Sequence, residues 1–264
     1  MTDYVLSRSG DQLTERERLA LIQAFQDPPT IRHLTSVGVS DGWHCLDVGA
    51  GGGSITRWLA ERVGPSGTVL ATDLEMDMLA GVVEPNVTVR RHDIRTDPLP
   101  DKGFDLVHTR LLLTHLPERD DVLGRLVAAV RAGGRIVVGD ADFSSLRLSR
   151  HDPIFDKVGA AFDAAIRLAG WDPELGPKLP SMLERHGVVG VEGEGLCGYQ
   201  RGGGAAPNIL SLTLRRLRPL ILRQGVVDEE LDYVHRLMLD PTVGLHGPTL
   251  WTAWGTVTPI GSEK

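Results

Sequence analysis

A glycine-rich loop is the stretch of this sequence with the clearest capacity to hold a ligand. Gly49, Gly51, Gly52 and Gly53 follow the apolar segment 45–48. Glycine has no Cβ and adopts positive φ at little cost, so the backbone N–H groups of such a loop can approach a bound molecule closely. We therefore expect the loop to contact a ligand directly.

Two acidic residues indicate what kind of ligand the loop binds. Asp47 lies in the apolar segment before the loop, where its charge would repel a pyrophosphate and suit a cation such as an amino group. Asp73 comes 24 positions after Gly49, near the spacing at which a carboxylate accepts hydrogen bonds from ribose hydroxyls. Its alternative role is to cap a helix over 75–82. Ser54 stands where dinucleotide-binding loops have Gly or Ala, so these residues count against a dinucleotide.

Three further residues are candidates for proton transfer to or from a substrate. His115 follows a predicted strand over 104–109, and a histidine normally titrates near neutrality; packing against the loop is its alternative role. Asp140 and Asp142 share one side at the end of another predicted strand and are placed to orient a substrate or take its proton. Helix capping is the alternative for both. His108 lies inside a strand and is expected to be a core histidine with its hydrogen bonds satisfied.

The elements that position these residues are predicted to be strands alternating with helices. Such a pattern implies a parallel sheet with right-handed crossovers, which binds its ligand at the carboxyl ends of the strands. Ser54 is placed to cap the helix after the loop, and Gly64 to end it. The predicted strands cover residues 45–48, 68–73, 87–92, 104–109 and 135–140.

The residues before the loop are predicted to form a helical cap over the ligand edge of the sheet. Asp27-Pro28-Pro29 should break a first helix, and residues 30–37 should form a shorter second one. Tyr4 is expected to reach the ligand from this cap, with simple packing as its alternative role. After the fifth strand we predict helices over 156–169 and 179–185.

Residues 205–247 are predicted to form a helical insertion between the last two strands, which cover 188–198 and 250–257. An insertion at the ligand edge of a sheet is suited to act as a substrate lid, and a purely structural packing element is the alternative.

Composition limits the classes of protein to which the chain can belong. It has 264 residues, 41% hydrophobic and 24% charged, and no apolar run approaches the roughly 20 residues of a membrane span. We expect a soluble, cytoplasmic protein, because its start lacks a basic and then apolar leader. The net charge of −7 argues against a nucleic-acid partner, and the basic run 215–218 is expected to be a solvated helix face. No metal-ligand spacing is present in the sequence.

Five segments, taken in order, resemble the motifs of class I S-adenosylmethionine-dependent methyltransferases. They are the loop and its strand (46–53), Asp73, Asp93-Ile94, the strand 104–107 and the segment 131–138. The resemblance covers about residues 40–142 and is closest to small-molecule enzymes of quinone and bacterial secondary metabolism. It implies an α/β fold, with a doubly wound, seven-stranded, mostly parallel sheet, an antiparallel last strand and a helical lid.

The resemblance also implies a domain organisation and a set of contacts to S-adenosylmethionine. The implied units are an N-terminal helical cap (1–44), an α/β core (45–204), a lid (205–247) and the last strand and tail of the core (248–264). The implied cofactor-binding residues are Tyr4, Asp47, Gly49, Ala50, Gly51, Gly53, Asp73, Leu74, Asp93, Ile94, Thr109 and Arg110.

The implied activity is methyl transfer to a small-molecule acceptor by in-line displacement, which mainly requires the reacting atoms to be aligned about 3 to 3.5 Å apart. Thr109-Arg110-Leu111-Leu112 differs from the Asn-Pro-Pro-Tyr motif that the family uses on nucleobase nitrogens. Two alternatives stay open: an enzyme that binds the cofactor but rearranges a metabolite without transfer, and a protein or RNA methyltransferase. The identity of the acceptor, the methylated atom and the oligomeric state are also open.

Overall fold

The computed structural model describes residues 12–99 and 103–258. Tyr4 therefore lies outside the described residues, and its expected contact stays a prediction. Across these ranges no helix has the length and apolarity needed to cross a membrane.

A single sheet of eight strands runs through the described part of the chain. Strands β1 to β5 are parallel to one another, and β8 runs antiparallel beside β5. The strand order is β3-β2-β1-β4-β5-β8, and both β6 and β7 pair with β8. The strands are β1 (His44–Val48), β2 (Thr68–Asp73), β3 (Val87–Arg91), β4 (Phe104–Arg110), β5 (Val130–Asp142), β6 (Arg147–Leu148), β7 (Val188–Arg201) and β8 (Gly244–Val257).

The predicted fold class is confirmed, with differences at the far edge of the sheet. The two-residue strand β6 was not predicted, and β7 and β8 are longer than expected. The reason lies in β8, which is long enough to pair with β5 through residues 249–256 and with β6 through residues 245–246.

The helices cover both faces of the sheet and create three apolar clusters. One cluster packs α1 and α2 against β1, β2 and β4, and a second packs α4 and α6 on the opposite face. The third joins α5 with α7, α8 and α9. The helices are α1 (Gln12–Ser36), α2 (Ser54–Val63), α3 (Met76–Leu79), α4 (Arg119–Ala129), α5 (Pro153–Leu168), α6 (Leu179–Arg185), α7 (Ala205–Arg216), α8 (Arg218–Leu222) and α9 (Asp228–Leu239).

The prediction that Asp27-Pro28-Pro29 breaks the first helix is wrong, because α1 continues through both prolines. Proline removes a backbone donor and usually ends a helix. Here tertiary hydrogen bonds hold the segment, since one carboxylate oxygen of Asp27 accepts from the Ser54 hydroxyl and from Arg110. The Thr30 hydroxyl also donates to the carbonyl of Gln26 at 2.8 Å.

Helix α2 starts differently from its predicted start and ends as expected. Its N-cap is Gly53, with φ 74°, and no side chain caps it. Ser54 is the first helical residue, and its hydroxyl points to Asp27 in α1 instead. Gly64 ends the helix with φ 65°, which confirms its predicted role.

Helix α7 lies over the ligand edge of the sheet and packs against α1. The predicted lid therefore contains three helices, α7 to α9, whose apolar sides contribute to the third cluster together with α5. The boundaries of the four predicted units stay a prediction.

Candidate active site

A cavity of about 430 Å³ lies at the carboxyl ends of β1, β2 and β4. The glycine-rich loop forms one wall, and helices α1 and α7 lie across the top. Many of its lining side chains are apolar, and we call the space that they line the apolar chamber. They come from several elements: Leu111, Leu116, Phe143, Leu146, Trp171, Ile209 and Leu250. The position agrees with the expectation that ligands bind at this edge of a parallel sheet.

The loop meets the cavity through Gly49, Ala50, Gly51 and Gly52. Gly49 and Gly51 have φ values of 69° and 56°, which a residue with a Cβ adopts only with strain. A Cβ on Gly52 would lie 2.2 Å from the side-chain nitrogen of Gln23 in α1. The loop therefore has room for a ligand only because these positions carry no side chain.

Gly53, which was predicted to bind the cofactor, does not line the cavity. Its φ is 74°, and a Cβ there would lie 2.4 Å from Cγ2 of Val82. Gly53 is therefore required by the turn into α2 and by close packing on the far side of the loop.

Asp73 lies in the cavity wall with Leu74, as predicted. Its Oδ2 accepts from the backbone N–H of Gly51 at 2.8 Å, and its Oδ1 from that of Glu75 at 3.0 Å. Burial raises the pKa of the carboxyl, and those two backbone donors partly oppose the rise. The helix-cap alternative is not what forms, because α3 has Glu75 at its N-cap and no side-chain cap.

Asp93 and Ile94 also line the cavity, at the end of β3. The carboxylate of Asp93 pairs with the guanidinium of Arg95 through two contacts, at 2.9 and 2.7 Å. This pairing is the main reason why the pKa of Asp93 is lowered. Ile94 is buried and supplies an apolar surface.

Asp47, which was expected to suit a cationic group of the ligand, lines the cavity, and its carboxylate is bound by other side chains of the protein. It is 2% exposed, and both of its oxygens are engaged. Oδ1 lies 2.8 Å from Nδ1 of His108, and Oδ2 accepts from the Thr56 hydroxyl at 2.6 Å. His108 is thus a buried histidine with a satisfied nitrogen, as expected.

Arg110 and Thr109 differ in their relation to the cavity. Arg110 lines it and donates to Asp27 and to the Thr30 hydroxyl, both at 2.9 Å, which ties β4 to α1. Thr109 does not line it, and its expected cofactor contact stays a prediction. Its side chain is buried and donates to the carbonyl of Val48 at 2.9 Å.

His115 lines the cavity but is a weaker base than a histidine normally is. Its ring packs edge-on against Trp171, with centroids 4.0 Å apart. Burial, and to a lesser extent the positive charge of Arg18, lowers the pKa of His115 to about 3. The imidazole is therefore neutral at pH 7 and holds a proton poorly.

Asp140 and Asp142 do not line the cavity, and of the two only Asp142 performs the capping role that was their alternative. Asp140 accepts from the backbone N–H groups of Thr114 at 2.9 Å and Ala141 at 3.0 Å. Burial raises its pKa to about 7, against the effect of these donors. Asp142 accepts from Ser144 and caps the turn 143–145. Asp140 therefore stabilises the turn that carries His115, and its expected role toward a substrate stays a prediction.

Several lining residues were not predicted from the sequence. Arg216 was placed on a solvated face, yet its side chain is 13% exposed, lines the cavity and pairs with Glu15 of α1. A signal existed, since Ile209, Thr213 and Arg216 recur at helical spacing and share one face of α7.

Leu111 is a second lining residue that was not predicted. Its φ is 54°, although it is not a glycine. The strain is held by a bond from its N–H to the carbonyl of Gly139 at 2.8 Å. This bends the chain at the end of β4 into the cavity wall.

Across residues 12–99 and 103–258, no group of three or more His, Cys, Asp or Glu side chains is arranged to hold a metal ion.

Comparison with known proteins agrees with this site. Residues 46–138 match a family model described as a methyltransferase domain. An uncharacterised 37.1 kDa protein in a transposon of Streptomyces fradiae is 30% identical over 147 residues, which are 54% of this chain and 42% of that protein. The ubiquinone/menaquinone biosynthesis C-methyltransferase of Burkholderia orbicola is 31% identical over 163 residues, 58% of this chain and 60% of that enzyme. The chain thus spans about half the length of these curated relatives.

The solved structures give the same result for the fold. Phosphoethanolamine N-methyltransferase 2 of Haemonchus contortus, in complex with phosphomonomethylethanolamine and S-adenosylhomocysteine, aligns with a TM-score of 0.52 at 17% identity. The alignment covers 92% of this chain and 53% of that one. The matched domain, the curated relatives and the sheet order together support a class I S-adenosylmethionine-dependent methyltransferase.

Proposed function

We propose that the protein transfers a methyl group from S-adenosylmethionine to a small-molecule acceptor, a secondary metabolite. The observation that carries this proposal is the continuity of one cavity. The same space of about 430 Å³ touches the glycine-rich loop, the carboxylate of Asp73 and an apolar chamber around Trp171. A nucleoside cofactor and a compact acceptor can therefore meet inside it.

The residues around the loop fit the cofactor. Gly49, Gly51 and Gly52 carry no side chain where the loop meets the cavity, and Asp73 lies in the cavity wall beside them. The raised pKa of Asp73 indicates a buried acceptor that would gain from further donors, such as ribose hydroxyls. Asp93, at the end of the next strand, would accept from an adenine amino group. When bound, the cofactor supplies an electrophilic methyl group on a sulfonium.

The side chains around the chamber support catalysis by positioning. His115 is neutral and weakly basic, and Asp140 faces the backbone of a turn. Alignment of two reactants in a closed site is by itself a large contribution to rate, so a general base in this chamber is not required. Helices α1 and α7 both contribute to the wall of this cavity.

The position of α1 and α7 supports a small acceptor over a polymer. Both helices contribute side chains to the cavity and pack against each other, so a protein or RNA strand would have to displace them. The net charge of −7 also counts against a nucleic-acid substrate. A cytoplasmic location is part of the same proposal.

The test is to incubate the protein with methyl-labelled S-adenosylmethionine and a small-molecule extract of a bacterium. We expect label in one or a few small metabolites, with one S-adenosylhomocysteine formed for each methyl transferred. Product mass distinguishes the alternatives: a rearranged product without an added methyl, or label confined to protein or RNA, would overturn the proposal.

A further inference from the structure

Helices α1 and α7 are joined above the cavity by a cluster of three charged side chains. Glu15 accepts from Nε of Arg18 at 2.9 Å and from its Nη2 at 2.7 Å. The same carboxylate pairs with Nη1 of Arg216. The side chains of Arg18, Glu15 and Arg216 are only 13%, 14% and 13% exposed.

All three side chains line the cavity, and so do His115 and Trp171, whose rings are in contact. The positive charge of Arg18 helps to lower the pKa of His115, which keeps the ring neutral. The cluster therefore lies beside the apolar chamber in which the proposed acceptor would be bound.

The cluster differs in its charges from the other cationic sites of the cavity wall. Arg95 lies beside the carboxylate of Asp93, and Arg110 beside that of Asp27. In the cluster, one carboxylate lies between two guanidinium groups. Removing charge from water is costly unless an opposite charge is close, so an anion is the ligand that this arrangement favours.

Arg18 lines the cavity and also retains donor capacity. It uses Nε and Nη2 on Glu15, and Nη1 makes no hydrogen bond to any residue that the structure describes. A guanidinium is a planar fork whose N–H groups match the oxygens of a carboxylate or a phosphate.

We propose that Arg18 and Arg216 bind an anionic group, a carboxylate or a phosphate, on the acceptor, whose apolar body then lies against Trp171. This inference rests on the proposed function, because it names the acceptor class of the same site. It assigns the two arginines as residues that determine specificity.

The experiment uses benzoate, phenyl phosphate and the neutral benzamide as probes, each titrated into the full-length protein saturated with S-adenosylhomocysteine. Binding is measured by calorimetry and by ligand-observed NMR. We expect at least one anion to bind about tenfold or more tightly than benzamide, since charge-assisted hydrogen bonds differ from neutral ones by this order. Comparison of benzoate with phenyl phosphate decides which anion the site takes.

Variants distinguish a cluster that binds an anion from a cluster that is purely structural. Arg18→Met and Arg216→Met should each lower anion affinity about tenfold and leave benzamide unaffected. Arg215→Met removes the same charge from the same helix outside this cavity and should change nothing. Glu15→Gln should raise anion affinity, because it removes the negative charge that both guanidinium groups share.

Equal binding of anions and benzamide would overturn the inference, as would weaker anion binding by Glu15→Gln. The inference would also be overturned if benzoate bound the free protein but not the protein saturated with S-adenosylhomocysteine. The arginines would then bind the carboxylate of the cofactor. Titration of S-adenosylhomocysteine alone tests the proposed function separately, so the two failures are distinguishable.

Discussion

Asp73 accepts a hydrogen bond from the backbone N–H of Gly51 at 2.8 Å. The end of β2 therefore holds the ligand loop that follows β1, and the same carboxylate is available to the ligand. The same side chain therefore holds the glycine-rich loop in place and lines the cavity.

Replacing Asp73 with Ala should weaken the binding of S-adenosylhomocysteine by at least about tenfold, because charge-assisted hydrogen bonds are worth roughly 1.5 to 3 kcal/mol each. Asp73→Asn keeps one acceptor and loses the charge, so its affinity should fall between wild type and Ala. Calorimetry measures both, with the exposed Asp120→Ala as control. Wild-type affinity in both variants, combined with early melting, would show that Asp73 only holds the loop.

Asp140 should make the stability of the protein fall as the pH rises from about 4 to 7. Its pKa is raised to about 7, so the folded state binds the proton more tightly than the unfolded chain does. The slope from one proton is at most about 1.4 kcal/mol per pH unit. Asp140→Asn should remove this contribution, as measured by urea unfolding from pH 4.5 to 7.5. A stability difference between the two proteins that is constant with pH would refute the assignment.

His115 should remain neutral far below the pH at which histidines normally titrate. Burial against Trp171 and the charge of Arg18 lower its pKa to about 3. NMR of protein with ¹⁵N-labelled histidine can follow the ring from pH 8 to 5, with His151, whose side chain is 78% exposed, as the internal control. Titration of His115 near pH 6.5 would restore it as a candidate base.

Gly53→Ala should lower the free energy of unfolding by about 1 to 3 kcal/mol, because the new Cβ is strained at φ 74° and meets Val82. Gly81→Ala is the matched control, since nothing lies within 4 Å of its Cβ position, and it should change stability by less than about 0.5 kcal/mol. Urea denaturation measures both. Equal effects in the two variants would contradict the packing role of Gly53.

The strands and the ligand loop were predictable because their signals are local. Apolar runs such as β1 and β2 end at glycines and acids, and alternation with helices fixes the sheet as parallel. Asp73 was found for the same reason, since it lies at a strand end at a known distance from the loop.

The misplaced residues depend on contacts between distant parts of the chain. Nothing near Pro28 shows that Ser54 and Arg110 would hold α1 through it. Asp140 and Asp142 both lie near the end of the same strand. Their carboxylates accept hydrogen bonds from backbone N–H groups of nearby turns, which the sequence does not reveal. Arg216 pairs with Glu15 of α1, which lies about 200 positions earlier in the chain, and this pairing holds its side chain at the cavity.

The antiparallel position of β8 has a consequence for how the protein is made. Among the described strands, β7 pairs with β8 alone, and β8 is the last to leave the ribosome. Throughout synthesis of residues 202–243, the 14 residues of β7 therefore present two open edges to other nascent chains. Glycines at 190, 193, 195 and 198 weaken that strand's own tendency to aggregate until its partner arrives.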